Sequence, residues 1–165
     1  MAEVKNSNKP ITLDLSETSR SKIWVNGDCT KVIELNLTDF NVMTRAKDAL
    51  SKLDELQSEA NKLASDEVLS SEEDSEAKFD ELIEAFRSID KKMREIVDYI
   101  FDFPVCDVCC DGGSMYDPIK GQYRYEYIIE KLMKLYDENW TKETKLAQDR
   151  IKSHTAKYTK KRSRK

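Results

Sequence analysis

The residues best able to do chemistry stand together at Cys106-Asp107-Val108-Cys109-Cys110. A C-x-x-C spacing can bring two thiolates to a tetrahedral ion at about 2.3 Å, so zinc is the first chemistry to weigh. A closed site needs four ligands, and only Cys29 and the single His154, both distant in sequence, could complete it. The competing reading is that small apolar thiols pack a loop against helices, as buried cysteines commonly do. A redox pair would need a thiolate-stabilising helix N-terminus, and no thioredoxin-like βαβ pattern surrounds this one. His154 has no neighbouring Cys or Ser nucleophile, which argues against a general base. Asp111-Gly112-Gly113-Ser114 resembles part of a phosphate-cradling turn but lacks the Lys-Ser or Lys-Thr that should follow, so it reads as a loop turn. The carboxylates crowded into 66–84 read as a solvated helix face. No catalytic set emerges. No metal or cofactor is assigned, and Cys106, Cys109 and Cys110 stand as the metal candidates should one be needed.

The elements that must position these groups follow from composition. The 165 residues carry 28 Lys plus Arg against 32 Asp plus Glu, a formal charge of −4, with 36% charged and 39% hydrophobic residues. That balance describes a helix-rich single domain with a core of its own. Four Gly and three Pro are too few turn formers for an all-β sandwich. No run approaches the ~18 consecutive apolar residues of a membrane span, and Met1 to Pro10 has no apolar signal region, so a reducing cytoplasm is the expected compartment and the four cysteines are expected to be free.

The expected fold is α+β and mainly α: a small N-terminal β hairpin or sheet followed by a bundle of about four helices. Residues 1–9 read as a flexible N-terminus, 10–156 as one domain and 157–165 as a basic tail. Ile11, Leu13 and Leu15 alternate as a strand would. A hairpin is placed at 22–36, because Asn26-Gly27 supplies the positive φ angles of a tight turn. The first helix is expected over 38–64, with Thr38 as N-cap and a stripe of Met43, Ala46, Leu50, Leu53, Ala60 and Leu63. A loop is placed at 65–70. The second helix is expected over 71–102, on a period running from Phe79 through Phe86, Met93 and Val97 to Ile100, and ended by Phe103-Pro104. A loop then runs to about 121. Two further helices are placed at 122–138 and 141–156.

Charge is polarised along the chain. Between Asp54 and Glu84 twelve acids face two lysines, a net −10, whereas between Lys142 and Lys165 ten basic residues face two acids, a net +8. Phosphate neutralisation on a nucleic acid, an acidic partner protein, a solvated tail and pairing with the chain's own acidic segment all compete for the basic end. Nucleic acid is disfavoured, because no aromatic platform interleaves the basic residues and the rest of the chain is acidic. Tyr123, Tyr127 and Trp140, with Lys160, Lys161, Arg162 and Arg164, are the candidate partner-binding residues. Tyr125 is assigned to the core, and at least one of Tyr123 and Tyr127 is expected to be exposed.

The order of parts is informative: Lys22-Ile23-Trp24-Val25-Asn26-Gly27-Asp28, then Val32-Ile33-Glu34-Leu35-Asn36-Leu37-Thr38-Asp39, then long acidic helices and a basic end. With Phe103-Pro104-Val105-Cys106, the stretch Gly112 to Pro118 and Tyr123-Arg124-Tyr125-Glu126-Tyr127-Ile128-Ile129, it resembles the small tail assembly chaperones of long-tailed bacteriophages of Gram-positive hosts. The resemblance is one of architecture. It implies a non-enzymatic factor of the host cytoplasm that binds the tape measure protein, keeps it soluble and helps recruit tail tube subunits. It also implies a short form and a frameshifted longer form, of which this chain would be the short one. No single residue carries a role over, and the cysteine cluster has no counterpart in the family. A metal- or nucleic-acid-binding regulator and a structural tail component retained in the virion are the alternatives.

Overall fold

The computed structural model describes Leu13, residues 20–65 and residues 75–162, with side chains at 78–153 in the last stretch. The fold is α+β and mainly α, a two-stranded antiparallel hairpin followed by four helices, one of them very short. The strand expected at Ile11 to Leu15 and the loop expected at 65–70 lie almost wholly outside the described residues. Leu13 itself is exposed.

The hairpin joins β1 (Ser21–Val25) to β2 (Asp28–Leu35) through Asn26 and Gly27, whose φ angles of 56° and 75° give the turn that matches the strands' twist. Alternation does the rest. Ile23, Val25, Ile33 and Leu35 point inward, with Ile33 and Leu35 fully buried, while Trp24 points out. A two-stranded ribbon has no core of its own, so this face must be covered by helices.

Helix α1 (Asn41–Ser65) begins three residues later than Thr38 predicts. The Thr38 hydroxyl is spent on the Asn36 side chain at 2.7 Å, and Asp39 is the capping residue instead, its Oδ1 accepting the Asn41 N–H at 2.9 Å. Asp39 Oδ2 also pairs with Arg45, whose Nε donates to the Ile100 carbonyl. The buried stripe is Val42, Ala49, Leu53, Leu56 and Ala60. Met43 and Leu50, expected on that stripe, are exposed: the core line runs one residue behind them, where smaller side chains let α2 approach closely.

Helix α2 (Ser75–Phe101) packs antiparallel on α1, with Ile89, Met93, Val97 and Ile100 buried and Phe79 exposed. It ends at Phe101, before the proline, in a Schellman arrangement: Asp102 turns to φ 51°, Phe103 N–H reaches the Asp98 carbonyl and Asp102 N–H that of Tyr99. Arg20 holds that corner, donating to the Asp102 carbonyl at 3.0 Å and its carboxylate at 2.8 Å.

The stretch expected as loop to residue 121 is largely built. It contains α3 (Val105–Cys109) and a miniature hairpin of β3 (Pro118–Ile119) and β4 (Gln122–Tyr123), turned through Lys120 and Gly121, both at positive φ. Helix α4 (Arg124–Arg162) replaces the two helices expected at 122–138 and 141–156. The apolar stripe lapses near Asn139 to Thr141, yet neither Gly nor Pro occurs there, and a Lys- and Glu-rich sequence keeps the helix going without a core to pack on.

Tyr125 Oη donates to Gln57 at 2.9 Å, and Trp140 meets Phe40, so α4 runs antiparallel along α1 and leaves the body beyond the N-terminus of α1. Residues 141–153 are all exposed. No described helix is long and apolar enough to cross a membrane.

Candidate functional site: an apolar groove between two helices

The segment 105–123 is held to the helices by carboxylates. Asp90 of α2 accepts from Arg94 Nε at 2.7 Å, from Ser114 Oγ at 2.7 Å and from the Met115 N–H at 2.6 Å. Arg94 also donates to the Gly113 carbonyl. Burial alone would raise the Asp90 pKa, but the bonds from Arg94, Met115 and Ser114 outweigh it and hold the carboxyl below its ordinary value. Asp98 accepts the Cys106 N–H at 2.9 Å and so caps α3, while its burial pushes its own pKa up. Asp117 accepts from Ser114 N–H and Arg124 Nη2, and Arg124 Nη1 reaches the Cys110 carbonyl. Gly113 fits here because a Cβ would stand 2.6 Å from Arg124 Nη2.

The three cysteines of the cluster belong to this packing. Cys106 and Cys110 are buried and Cys109 half-buried, whereas Cys29 is exposed on β2 and does not join them. The Cys110 sulphur lies 3.3 Å from Met115 Sδ and that of Cys106 3.7 Å from the Arg94 carbonyl. The hydrogen bond to Cys110, then burial, pushes the Cys106 thiol up, and burial takes Cys109 to about 11. The same bond, with Arg94 and Arg124 nearby, holds Cys110 down, but reagents cannot reach it. Among the described residues no group of three or more His, Cys, Asp or Glu side chains is placed to hold a metal ion, and the His154 side chain lies outside them. Treatment of the native protein with an aromatic disulfide reagent is therefore expected to titrate Cys29 rapidly and the other three slowly. Cys29→Ser should remove the fast phase; a fast phase that survives it would contradict this burial order.

The candidate partner residues are spread apart. Tyr123 and Tyr127 are both half-buried, contrary to the expectation that one would be exposed. Tyr123 stacks on Tyr125 with centroids 6.2 Å apart and meets Tyr116 edge-on, and Tyr127 lies beneath the ammonium groups of Lys120 and Lys131. Tyr125 is buried as expected, and its burial takes the phenol to about 12. Lys160, Lys161 and Arg162 lie on the last turns of α4, their side chains outside the described residues together with Arg164.

Tyr127 lines a groove against the hairpin with Ile23, Val25 and Ile119, and Trp140 stands at a second one. Its ring meets that of Phe40 at 5.3 Å between centroids and 42° between planes. With Leu37, Met43 and Met133 the pair lines an open groove of about 430 Å³ between the start of α1 and the middle of α4. Phe40 is 61%, Met43 51% and Trp140 45% exposed. Asp39, Lys134 and Asp137 rim it, and Asn139 Nδ2 ties α4 to the Leu37 carbonyl at 3.2 Å, fixing the groove's width. Sequence reading passed over Phe40 and took Met43 for core. The available signal was an aromatic immediately before the helix, three residues ahead of Met43.

Such a groove offers large apolar area and polarizable methionines with a charged rim, surface chemistry that matches an amphipathic helix. Comparison with protein-family models, with curated proteins and with solved structures finds no match to this chain.

Proposed function

We propose that the protein is a non-enzymatic tail assembly chaperone of a long-tailed bacteriophage, working in the host cytoplasm. It binds the long helical tape measure protein, keeps it soluble and helps gather tail tube subunits. The single observation that carries the reading is the rigidly framed groove whose Phe40, Met43 and Trp140 stay exposed in the folded chain. A soluble monomer rarely leaves aromatic and methionine side chains clustered in a groove without a partner to cover them. The resemblance in the order of parts supplies the partner's class, a long chain of amphipathic helix whose apolar stripe would otherwise aggregate. The groove takes that stripe through anchors at i, i+3 or i+4 and i+7.

Coexpression of this chain with a tape measure protein from the same genome tests the reading. The larger protein is expected to move from the pellet into the soluble fraction and to copurify. An unchanged partition between pellet and supernatant would reject the chaperone role.

A further inference from the structure

The charge polarity of the sequence becomes a polarity in space. The C-terminal half of α1, with Asp54, Glu55 and Glu59, and the first turns of α2, with Asp80, Glu81 and Glu84, form one end of the molecule, because the two helices are antiparallel. All six of these acids are exposed. Helix α4 passes Gln57 at Tyr125 and Phe40 at Trp140, so its projecting part starts at the other end and points away. At 1.5 Å per residue, residues 141–162 make an arm of about 33 Å, rooted roughly 28 Å from the level of Glu59. The arm carries Lys142, Lys145, Arg150, Lys152, Lys157, Lys160, Lys161 and Arg162 against Glu143 and Asp149. Among the described residues, Lys142, Lys145, Arg150 and Lys152 pair with no carboxylate, and Asp54, Glu55, Glu59, Asp80 and Glu81 pair with no cation. A straight helix cannot bring these two sets together within one chain.

We infer that the basic arm of α4 docks on the acidic end of a second copy of this chain. The contact is head-to-tail, since the two surfaces differ, and repetition generates a ring or a filament rather than a closed twofold dimer. Apolar area accompanies the charge. Leu146 and Ile151 are exposed on the arm, and Phe79 is exposed at the acidic end, where Leu82, Ile83 and Phe86 continue its strip into a groove of about 590 Å³. Arg87 and Lys91 line the far part of that groove, so like charge confines the arm to the first turns of α2. The inference stands independently of the chaperone reading, because neither Phe40 nor Trp140 is part of the contact it proposes.

Sedimentation velocity on the full chain tests it, with two charge-reversed variants: K142E/K145E/R150E/K152E in the arm and D80K/E81K/E84K at the acidic end. The wild-type chain is expected to form species beyond dimer in a concentration-dependent way, with an apparent Kd at least about tenfold weaker in 500 mM than in 50 mM salt. Each variant alone should be monomeric, with its helical circular dichroism retained. An equimolar mixture should associate again, since the reversed arm of one fits the reversed end of the other. A wild-type chain that stays monomeric at low salt, association that survives the arm reversal, or a mixture that stays monomeric would overturn the inference.

Discussion

Replacing Asp90 by alanine is expected to cost about 3 kcal/mol of stability and to lower Tm by roughly 6–12 °C. The carboxylate has three partners on two different segments: Arg94 one turn along α2, and Ser114 Oγ and Met115 N–H on the segment that carries the cysteines. Its removal leaves a three-quarters-buried guanidinium without its ion pair and a backbone N–H without an acceptor. Asp90→Asn keeps one acceptor oxygen and should lose about half as much. The pH dependence has a definite sign. The folded-state pKa of Asp90 lies below 3.8, so the native chain binds fewer protons than the unfolded one. The stabilisation is complete above 3.8 and is lost as pH falls through the lower folded value. Asp98, whose pKa is raised, works in the opposite direction. Thermal unfolding of Asp90→Ala across the acid range should therefore show a shallower decline than that of the native sequence. A loss under about 1 kcal/mol would mean that the Asp90 bonds are not what holds the 105–123 segment.

The double variant Phe40→Asp and Trp140→Asp is expected to weaken binding of the helical partner by 10²-fold or more while leaving the fold intact. Each ring leaves about half of its surface in water in the free protein, on the order of 100 Å². Covering both is worth roughly 5 kcal/mol at about 25 cal/mol per Å², before the ordering cost of association, and every 1.4 kcal/mol is tenfold in affinity. Two carboxylates in the groove would add a desolvation penalty. Each ring also buries roughly the other half of its surface in the folded chain, so the double variant is expected to lose about 2–5 kcal/mol of stability, and circular dichroism checks that the helices are retained. Titration of a peptide copying one apolar stretch of the partner measures the difference, and equal affinity of the variant would place the binding surface elsewhere.

The hairpin was readable because Asn26-Gly27 and strict alternation are local signals, and the core of α2 because its period continues from Ile89 to Ile100 without interruption. Where the reading failed, a tertiary choice had decided between locally equivalent options. On α1 both the Met43–Leu50 line and the Val42–Ala49–Leu56 line repeat at helical spacing, and only the approach of α2 selects the second. The break expected before Thr141 rested on a lapse of the apolar stripe, which marks the end of packing rather than the end of the helix. Two Asp residues of α2, Asp90 and Asp98, and Asp117 within the segment organise 105–123, and nothing in their local sequence announces a partner 24 residues away, as Asp90 has in Ser114. The groove was half readable: Trp140 stood out as a surface aromatic, whereas Phe40 acquires meaning only when α4 is folded back along α1.

The most direct measurement is photocrosslinking from the groove itself, with benzoylphenylalanine in place of Met43, which is exposed and lines the groove, in cells that also make the tape measure protein. A second probe replaces Tyr99, exposed on α2 and outside the groove. The groove account predicts adducts from position 43 that map to apolar positions of the tape measure protein at three- and four-residue spacing, with few from position 99. Adducts from position 99 and none from position 43 would contradict it.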